Sequence, residues 1–162
     1  MAKTIKLFLS DIDGVLTDGG MYYSEKGDEI KRFCVYDGMG LQLLQEKGVK
    51  VGLITSEDRM LNQRRFDKLK LDYLFQSARD KLGIVQDLCL QLGISISEVA
   101  YIGDDINDLS LLETVGIKAC PPNAVDRIKD IPNIKKLNTP GGQGAVREFI
   151  EFILSENLYQ SI

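Results

Sequence analysis

The chain has 162 residues, 44% of them hydrophobic, which suits one compact domain with a sizeable core and is short for two. Its formal net charge is −4 and its basic residues are dispersed, which argues against a nucleic-acid surface, where Lys and Arg cluster. Three widely spaced cysteines without a CxxC pair give neither a disulfide framework nor a zinc site, and the absence of histidine removes Ser-His-Asp and Cys-His mechanisms together with imidazole ligation. No apolar stretch approaches the roughly 18 residues of a membrane span, and no signal-like apolar region opens the chain, so a reducing, cytoplasmic setting is expected.

The apolar run Ile5 to Leu9 reads as a buried parallel strand. Asp11-Ile12-Asp13-Gly14-Val15 follows at once, setting two carboxylates at the strand end where open α/β sheets bind ligands. Buried carboxylates need a partner, and oxygen-only ligation suits Mg²⁺, which keeps its waters and leaves room for a phosphate. An N-cap aspartate beside a turn aspartate is the plain alternative. Gly20 to Phe33 reads as two short strands about a Glu-Lys-Gly-Asp turn, a β-hairpin insertion over about residues 19–35. Met39 to Lys47, Leu82 to Leu92 and Leu109 to Val115 carry helical patterns, and each is followed by a glycine (Gly48, Gly93, Gly116) suited to a left-handed helix end. Between them the runs Val49 to Ile54, Tyr73 to Phe75 and Val99 to Ile102 read as further strands. Such alternation implies right-handed crossovers and an α/β fold, a Rossmann-like three-layer sandwich with a central parallel sheet, in a single domain spanning 1–162. Asn138 to Gly144 reads as a flexible connector into the amphipathic stretch Ala145 to Leu154, within a C-terminal tail of about residues 138–162.

Further polar groups stand at the predicted strand ends. Thr55 and Ser56 follow Ile54, with a helix N-cap as the plain alternative for Thr55. Lys81 begins a helix, where the dipole disfavours a cation unless an anion lies close by. Gly103-Asp104-Asp105-Ile106-Asn107-Asp108 adds two adjacent carboxylates and a third on the same helix face as Asp104. Arg64, Arg65 and Lys68 fall within about one turn of a predicted helix and make either a local anion site or a solvated face. Collected at one crevice, the carboxylates suit Mg²⁺, while Thr55, Lys81 and backbone amides suit an anionic phosphoryl group.

In order and spacing, Asp-x-Asp-Gly, a Thr after the second strand, a Lys and then Gly-Asp-Asp-x-x-Asp resemble the four motifs of the haloacid dehalogenase superfamily of phosphatases, a likeness that covers the whole chain. The resemblance implies Asp11 as the nucleophile that forms an aspartyl-phosphate. It implies Asp13 as the acid and base for the leaving group and the water, its backbone carbonyl ligating Mg²⁺. Asp104 would complete the metal ligands with Asp11 and Asp13, and Asp105 and Asp108 would orient Lys81 and the metal's waters. Thr55, Ser56 and Lys81 would hold the phosphoryl oxygens.

Most superfamily members carry a cap domain, for which this chain has no room. Asp11 to Gly19, the hairpin, Asp37-Gly38-Met39-Gly40 and Gly141 to Glu148 are similar to a capless branch of phosphatases acting on ulosonic acid phosphates, either the eight-carbon octulosonate 8-phosphate or nine-carbon nonulosonate 9-phosphates. Members of that branch are tetramers in which hairpins form a central barrel and a neighbouring subunit covers the site. Octulosonate phosphatases typically have Thr-Gly-Arg in the second motif; Thr55-Ser56-Glu57 here, with Arg64 and Lys68, resembles the nine-carbon enzymes instead. Arg64 and Lys68 would pair with the substrate carboxylate, in their own subunit or from across a subunit boundary, and Glu57 would accept from sugar hydroxyls or contact an amine or amide substituent. A phospho-receiver domain uses similar residues, yet its acidic pair comes first and its phosphoacceptor stands alone mid-chain; an inactive scaffold would not need every motif residue. Met21, Tyr22, Tyr23, Ile30 and Phe33 would leave an isolated hairpin sticky. The chain is therefore expected to sediment as a homo-oligomer at micromolar concentration; a monomer in sedimentation velocity overturns that expectation.

Overall fold

The computed structural model describes residues 4–27 and 29–162. Its first strand, β1 (Leu7–Ser10), is fully buried, and strand periodicity sends alternate residues to opposite faces. Phe8 enters one core layer with α1 (Val35–Glu46), α2 (Met60–Leu69) and α6 (Ala145–Ser155). Leu7 and Leu9 enter the other, with α3 (Lys81–Leu92), α4 (Leu109–Thr114) and α5 (Asp126–Lys129). Helices thus cover both faces, which is why the strands read as unbroken apolar runs.

Among the described residues, six parallel strands lie in the order β5 (Tyr73–Phe75), β4 (Lys50–Ile54), β1, β6 (Val99–Ile102), β7 (Ile117–Cys120) and β8 (Lys135–Lys136). Ser10 pairs with Leu53 on one side and Ile102 on the other, so the three central strands end nearly level. The chain winds from β1 out to β5 and crosses back to β6 on the far side of β1. Asp11 therefore stands at the switch point, where two loops diverge and leave a crevice. This is the expected Rossmann-like sandwich. No helix among the described residues is long and apolar enough to cross a membrane.

The hairpin is present but shorter than its sequence pattern. β2 (Tyr22–Tyr23) pairs antiparallel with β3 (Glu29–Ile30), and an isolated bridge joins Thr17 to Phe33. Asp28, in the expected turn, lies outside the described residues. Tyr23 and Ile30 are 64% and 63% exposed, so the hairpin buries little within its own protomer.

Three expectations need correction. The first helix starts at Val35, four residues before the expected Met39, because Gly38 and Gly40 weaken the local signal. Both serve close packing: a side chain at Gly38 would strike Arg65 and Leu69 of α2, and one at Gly40 would press on Arg147 and Ile150 of α6. Gly48 and Gly93 take the left-handed conformation at helix ends, but Gly116 does not; its backbone lies against the Ser97 carbonyl, leaving no room for a β-carbon. Asn138 to Gly144 is pinned rather than flexible. The Gly142 N–H donates to the Val15 carbonyl at 3.2 Å, and Asn123 accepts from the Gly141 N–H while donating to the Gly14 carbonyl, each at 2.8 Å.

Asp37 fixes α1 to α6. It is fully buried, and its Oδ1 accepts from the Arg147 N–H at 2.9 Å while Oδ2 has no hydrogen-bond partner. Burial outweighs the Arg147 and Val146 amides and the Arg65 guanidinium, pushing the carboxyl up from its ordinary 3.8 to about 6. The folded state then holds a proton that the unfolded chain releases, so this group's contribution to stability is greatest below its ordinary value and falls as pH rises through about 6. The fall is on the order of 3 kcal/mol at about 1.4 kcal/mol per unit. Asp37→Asn should abolish it: the difference in urea-unfolding free energy between variant and wild type should change by roughly that amount between about pH 4 and pH 7.

Candidate active site

The ends of the three central strands and their backbone bonds bring the predicted residues to one crevice. The Asp11 N–H donates to the Ile102 carbonyl at 3.0 Å, Thr55 N–H to Phe75 at 2.9 Å and Gly103 N–H to Ala119 at 3.3 Å, so each loop leaves the sheet in a fixed direction. The crevice is lined by Asp11, Asp13, Thr55, Ser56, Glu57, Asp104, Asp105 and Asn107.

Beneath it lies Lys81, whose side chain is wholly buried. Its Nζ is 2.8 Å from Asp11 Oδ1, 2.6 Å from Asp108 Oδ1 and 3.2 Å from the Tyr101 hydroxyl oxygen. Three partners occupy the three N–H bonds of the ammonium, so Lys81 stands behind Asp11 and does not line the crevice. The cation that the dipole disfavours at the start of α3 is held there by two carboxylates. Burial opposes its charge, but Asp11 and Asp108 outweigh burial and hold the Lys81 pKa above its usual value.

Asp108 also organises the loop. Tyr101 O–H donates to its Oδ1 at 2.5 Å, and its Oδ2 accepts from the N–H groups of Asp104 at 2.9 Å and Asp105 at 3.2 Å. Asp104 and Asp108 were expected on one helix face; instead Asp104 precedes a 3₁₀ turn, Ile106–Asp108, and the Asp108 side chain folds back to it. Gly103 is required there, because any β-carbon would strike the Asp108 carboxylate. Asp105 caps the same turn, its Oδ1 accepting from the Ile106 N–H at 2.7 Å.

Asp11, Asp104 and Asp108 each offer an oxygen within 4.8 Å of the others. Both Asp108 oxygens are already engaged by this chain, whereas Asp11 and Asp104 open onto the crevice. Three carboxylates face one ammonium. Burial and then Asp108 hold the Asp11 carboxyl well above its usual range, and the same two causes push Asp104 up to about 7. Such an excess of negative charge, presented through oxygen alone, fits a divalent cation of the Mg²⁺ type. Asp104 also packs against the backbone at Gly14, where a β-carbon would collide with its carboxylate, so the Asp13–Gly14 backbone adjoins the same spot.

Thr55 is not a helix N-cap: α2 begins at Met60, and Thr55 Oγ1 instead accepts from the Glu57 N–H at 3.2 Å. Ser56 Oγ donates to the Ala78 carbonyl at 3.3 Å and accepts from Asn107 Nδ2 at 3.0 Å. Arg64 and Lys68 are exposed on α2 and do not line the crevice; Lys68 borders a separate groove with Phe33, Val35 and Arg65. Arg65 turns inward, donating to the Cys34 carbonyl at 3.0 Å. Four participants went unassigned from sequence. Asn107 lay unassigned within the quoted acidic run, Tyr101 read as strand core, Asn123 sat in no motif, and Lys31 belonged to a hairpin read for its apolar residues. Lys31 Nζ lies 2.8 Å from Asp13 Oδ1.

A family model of haloacid dehalogenase-like hydrolases matches residues 73–139. The 3-deoxy-D-manno-octulosonate 8-phosphate phosphatase of Haemophilus influenzae is 34% identical over 152 residues, covering 94% of this chain and 84% of that protein. The chain belongs to the haloacid dehalogenase-like phosphatases. It is accordingly an enzyme of phosphate monoester hydrolysis. Among solved structures, the octulosonate 8-phosphate phosphatase of Moraxella catarrhalis, in complex with a magnesium ion, a phosphate ion and a KDO molecule, superposes with a TM-score of 0.89 at 38% identity, over 93% of this chain and 86% of that one. A probable phosphatase from Pseudomonas syringae pv. phaseolica gives 0.91 at 39% identity, over 94% and 86%. The likeness thus runs along nearly the whole of this phosphatase.

Removing the buried ammonium leaves Asp11 and Asp108 uncompensated. Lys81→Met should therefore cost roughly 3–5 kcal/mol in urea unfolding at neutral pH. The loss should shrink in mildly acidic buffer, where the raised carboxyls of Asp11 and Asp104 take up protons.

Proposed function

We propose that this chain is a Mg²⁺-dependent phosphatase that releases the terminal phosphate of a 3-deoxy-2-ulosonic acid phosphate, with the eight-carbon octulosonate 8-phosphate as its first substrate. The observation that carries the reading is Asp11: one oxygen is anchored by Lys81 at 2.8 Å at the sheet's switch point, and the residue opens onto a crevice of oxygen donors. The eight-carbon substrate is favoured by the names of the relatives that match this chain along 93–94% of its length.

Asp11, the Asp13 backbone carbonyl and Asp104 would hold Mg²⁺, which when bound supplies the positive charge that lets a carboxylate approach a phosphoryl group. Asp11 attacks phosphorus, a phosphorus–oxygen bond forms to its carboxylate and the bond to the sugar oxygen breaks. Asp13 gives its proton to the departing oxygen and later takes one from the water that releases phosphate. Thr55 would present its hydroxyl to the phosphoryl oxygens, and Ser56, whose hydroxyl proton is given to the Ala78 carbonyl, would offer its backbone N–H. Lys81 holds the nucleophile in line and offsets part of its charge, while Asp105 and Asp108 shape the acidic loop.

A nine-carbon nonulosonate 9-phosphate is the second reading, and Glu57 favours it. Its carboxylate lies in the crevice wall, paired with Arg59 at 3.2 Å, at the place where the Thr-Gly-Arg pattern of octulosonate phosphatases would set an arginine. A hairpin-linked tetramer would suit both readings: Arg64 and Lys68 stand exposed outside the crevice of their own chain and would reach substrate only in a neighbour's.

Steady-state kcat/KM with Mg²⁺ should favour the eight-carbon 8-phosphate over the nine-carbon 9-phosphates by tenfold or more, about 1.4 kcal/mol of transition-state discrimination. The opposite preference establishes the second reading, and no release of phosphate from either acid refutes both. Asp11→Asn should abolish turnover and keep the fold, since the amide oxygen still accepts from Lys81; appreciable residual turnover removes Asp11 as nucleophile.

A further inference from the structure

Asp13 is held by a cation that no motif contains. Lys31 Nζ lies 2.8 Å from one Asp13 oxygen and 3.1 Å from the other, and its side chain is fully buried while that of Asp13 is 27% exposed to the crevice. Lys31 thus stands behind Asp13 and touches both oxygens, which fixes the rotation of the carboxylate as well as its place. It follows directly after β3, so the contact ties the hairpin to the site.

The cation is itself braced. Glu29 Oε1 is 3.8 Å from Lys31 Nζ, Glu29 Oε2 takes Arg59 Nε at 2.6 Å, and Arg59 Nη2 reaches Glu57 at 3.2 Å. Charges of alternating sign therefore run from Asp13 through the hairpin to the opposite crevice wall. An ammonium buried this deeply costs several kcal/mol unless its partners are well placed, and here they come from the first loop and from the hairpin.

We propose that Lys31 is a positioning residue for Asp13, so that the hairpin forms part of the catalytic apparatus. The proposal rests on the reading of Asp13 as acid and base. As the Asp11–phosphorus bond forms and the phosphorus–sugar oxygen bond breaks, the Asp13 proton passes to that oxygen. When water oxygen bonds phosphorus and the Asp11–phosphorus bond breaks, a water proton returns to Asp13. With Lys31 anchoring the carboxylate from behind, one oxygen faces the crevice in both steps.

The leaving group tests this. An alkyl sugar oxygen needs a proton to depart, whereas nitrophenolate leaves without one, and a positioned acid is worth about 10²–10⁴ in rate. With Mg²⁺, kcat/KM of Lys31→Met for whichever ulosonate phosphate the wild type hydrolyses should fall at least tenfold more than for p-nitrophenyl phosphate, and Lys31→Arg should restore most of the difference. In an Asp13→Asn background Lys31→Met should cost nothing further. Equal losses on both substrates, no loss, or an additional loss in the Asp13→Asn background overturns the proposal. Should Lys31→Met fail to fold, Lys31→Gln is read by the same ratio. A wild type that turns over p-nitrophenyl phosphate while the variants show equal losses refutes only the role of Lys31; a wild type inactive on every phosphate monoester refutes the phosphatase reading and this proposal together.

Discussion

One buried ammonium holds the site together. Lys81 meets Asp11 from β1 and Asp108 from the loop after β6, so a single cation joins the ends of two neighbouring strands. Its burial is tolerated because Asp11, Asp108 and Tyr101 use all three of its N–H bonds, leaving no donor unmet. The loop depends on it in turn: Asp108 receives Lys81 and Tyr101 on one oxygen and gathers two backbone amides on the other. Glycine at 103 and at 14 lets the carboxylates of Asp108 and Asp104 approach the backbone to these distances.

That arrangement leaves the cluster short of positive charge. Two further ammonium groups would neutralise it permanently; the deficit makes room for a removable cation and an anionic substrate in turn. Asp13 sits differently, because its cation comes from the hairpin rather than from the sheet. The nucleophile candidate is set by the rigid core, and the acid-base candidate by an insertion.

The architecture and most of the crevice could be read from sequence because they rest on local rules. Apolar runs doubly covered by helices mark the strands, and polar residues at their C-terminal ends mark the crevice. Asp11, Asp13, Thr55 and Asp104 emerge from that logic alone. What was misplaced depends on contacts far apart in the chain. Gly38, Gly40 and Gly116 look like helix breakers or caps until the opposing side chains are known, and each proves to be a close approach. Lys31 carries no local signal, because its partner lies 18 residues away and its burial reverses the usual fate of a strand lysine. The order of the Lys81 contacts was equally hidden: a lysine beside an acidic crevice suggests a phosphate ligand, and only the geometry shows its three bonds already spent.

The tether between the first loop and the tail affects how the protein comes into being. Gly141 and Gly142 close on the backbone of residues 14 to 18 with no space for a side chain, and Asn123, 109 residues from Gly14 and 18 from Gly141, bridges the two. Synthesis delivers the first loop well before its clamp. A chain still emerging from the ribosome and made through the loop after β6 holds every carboxylate of the crevice but not the segment that fixes the loop bearing two of them. Such long-range closure places this fold among the slower to form.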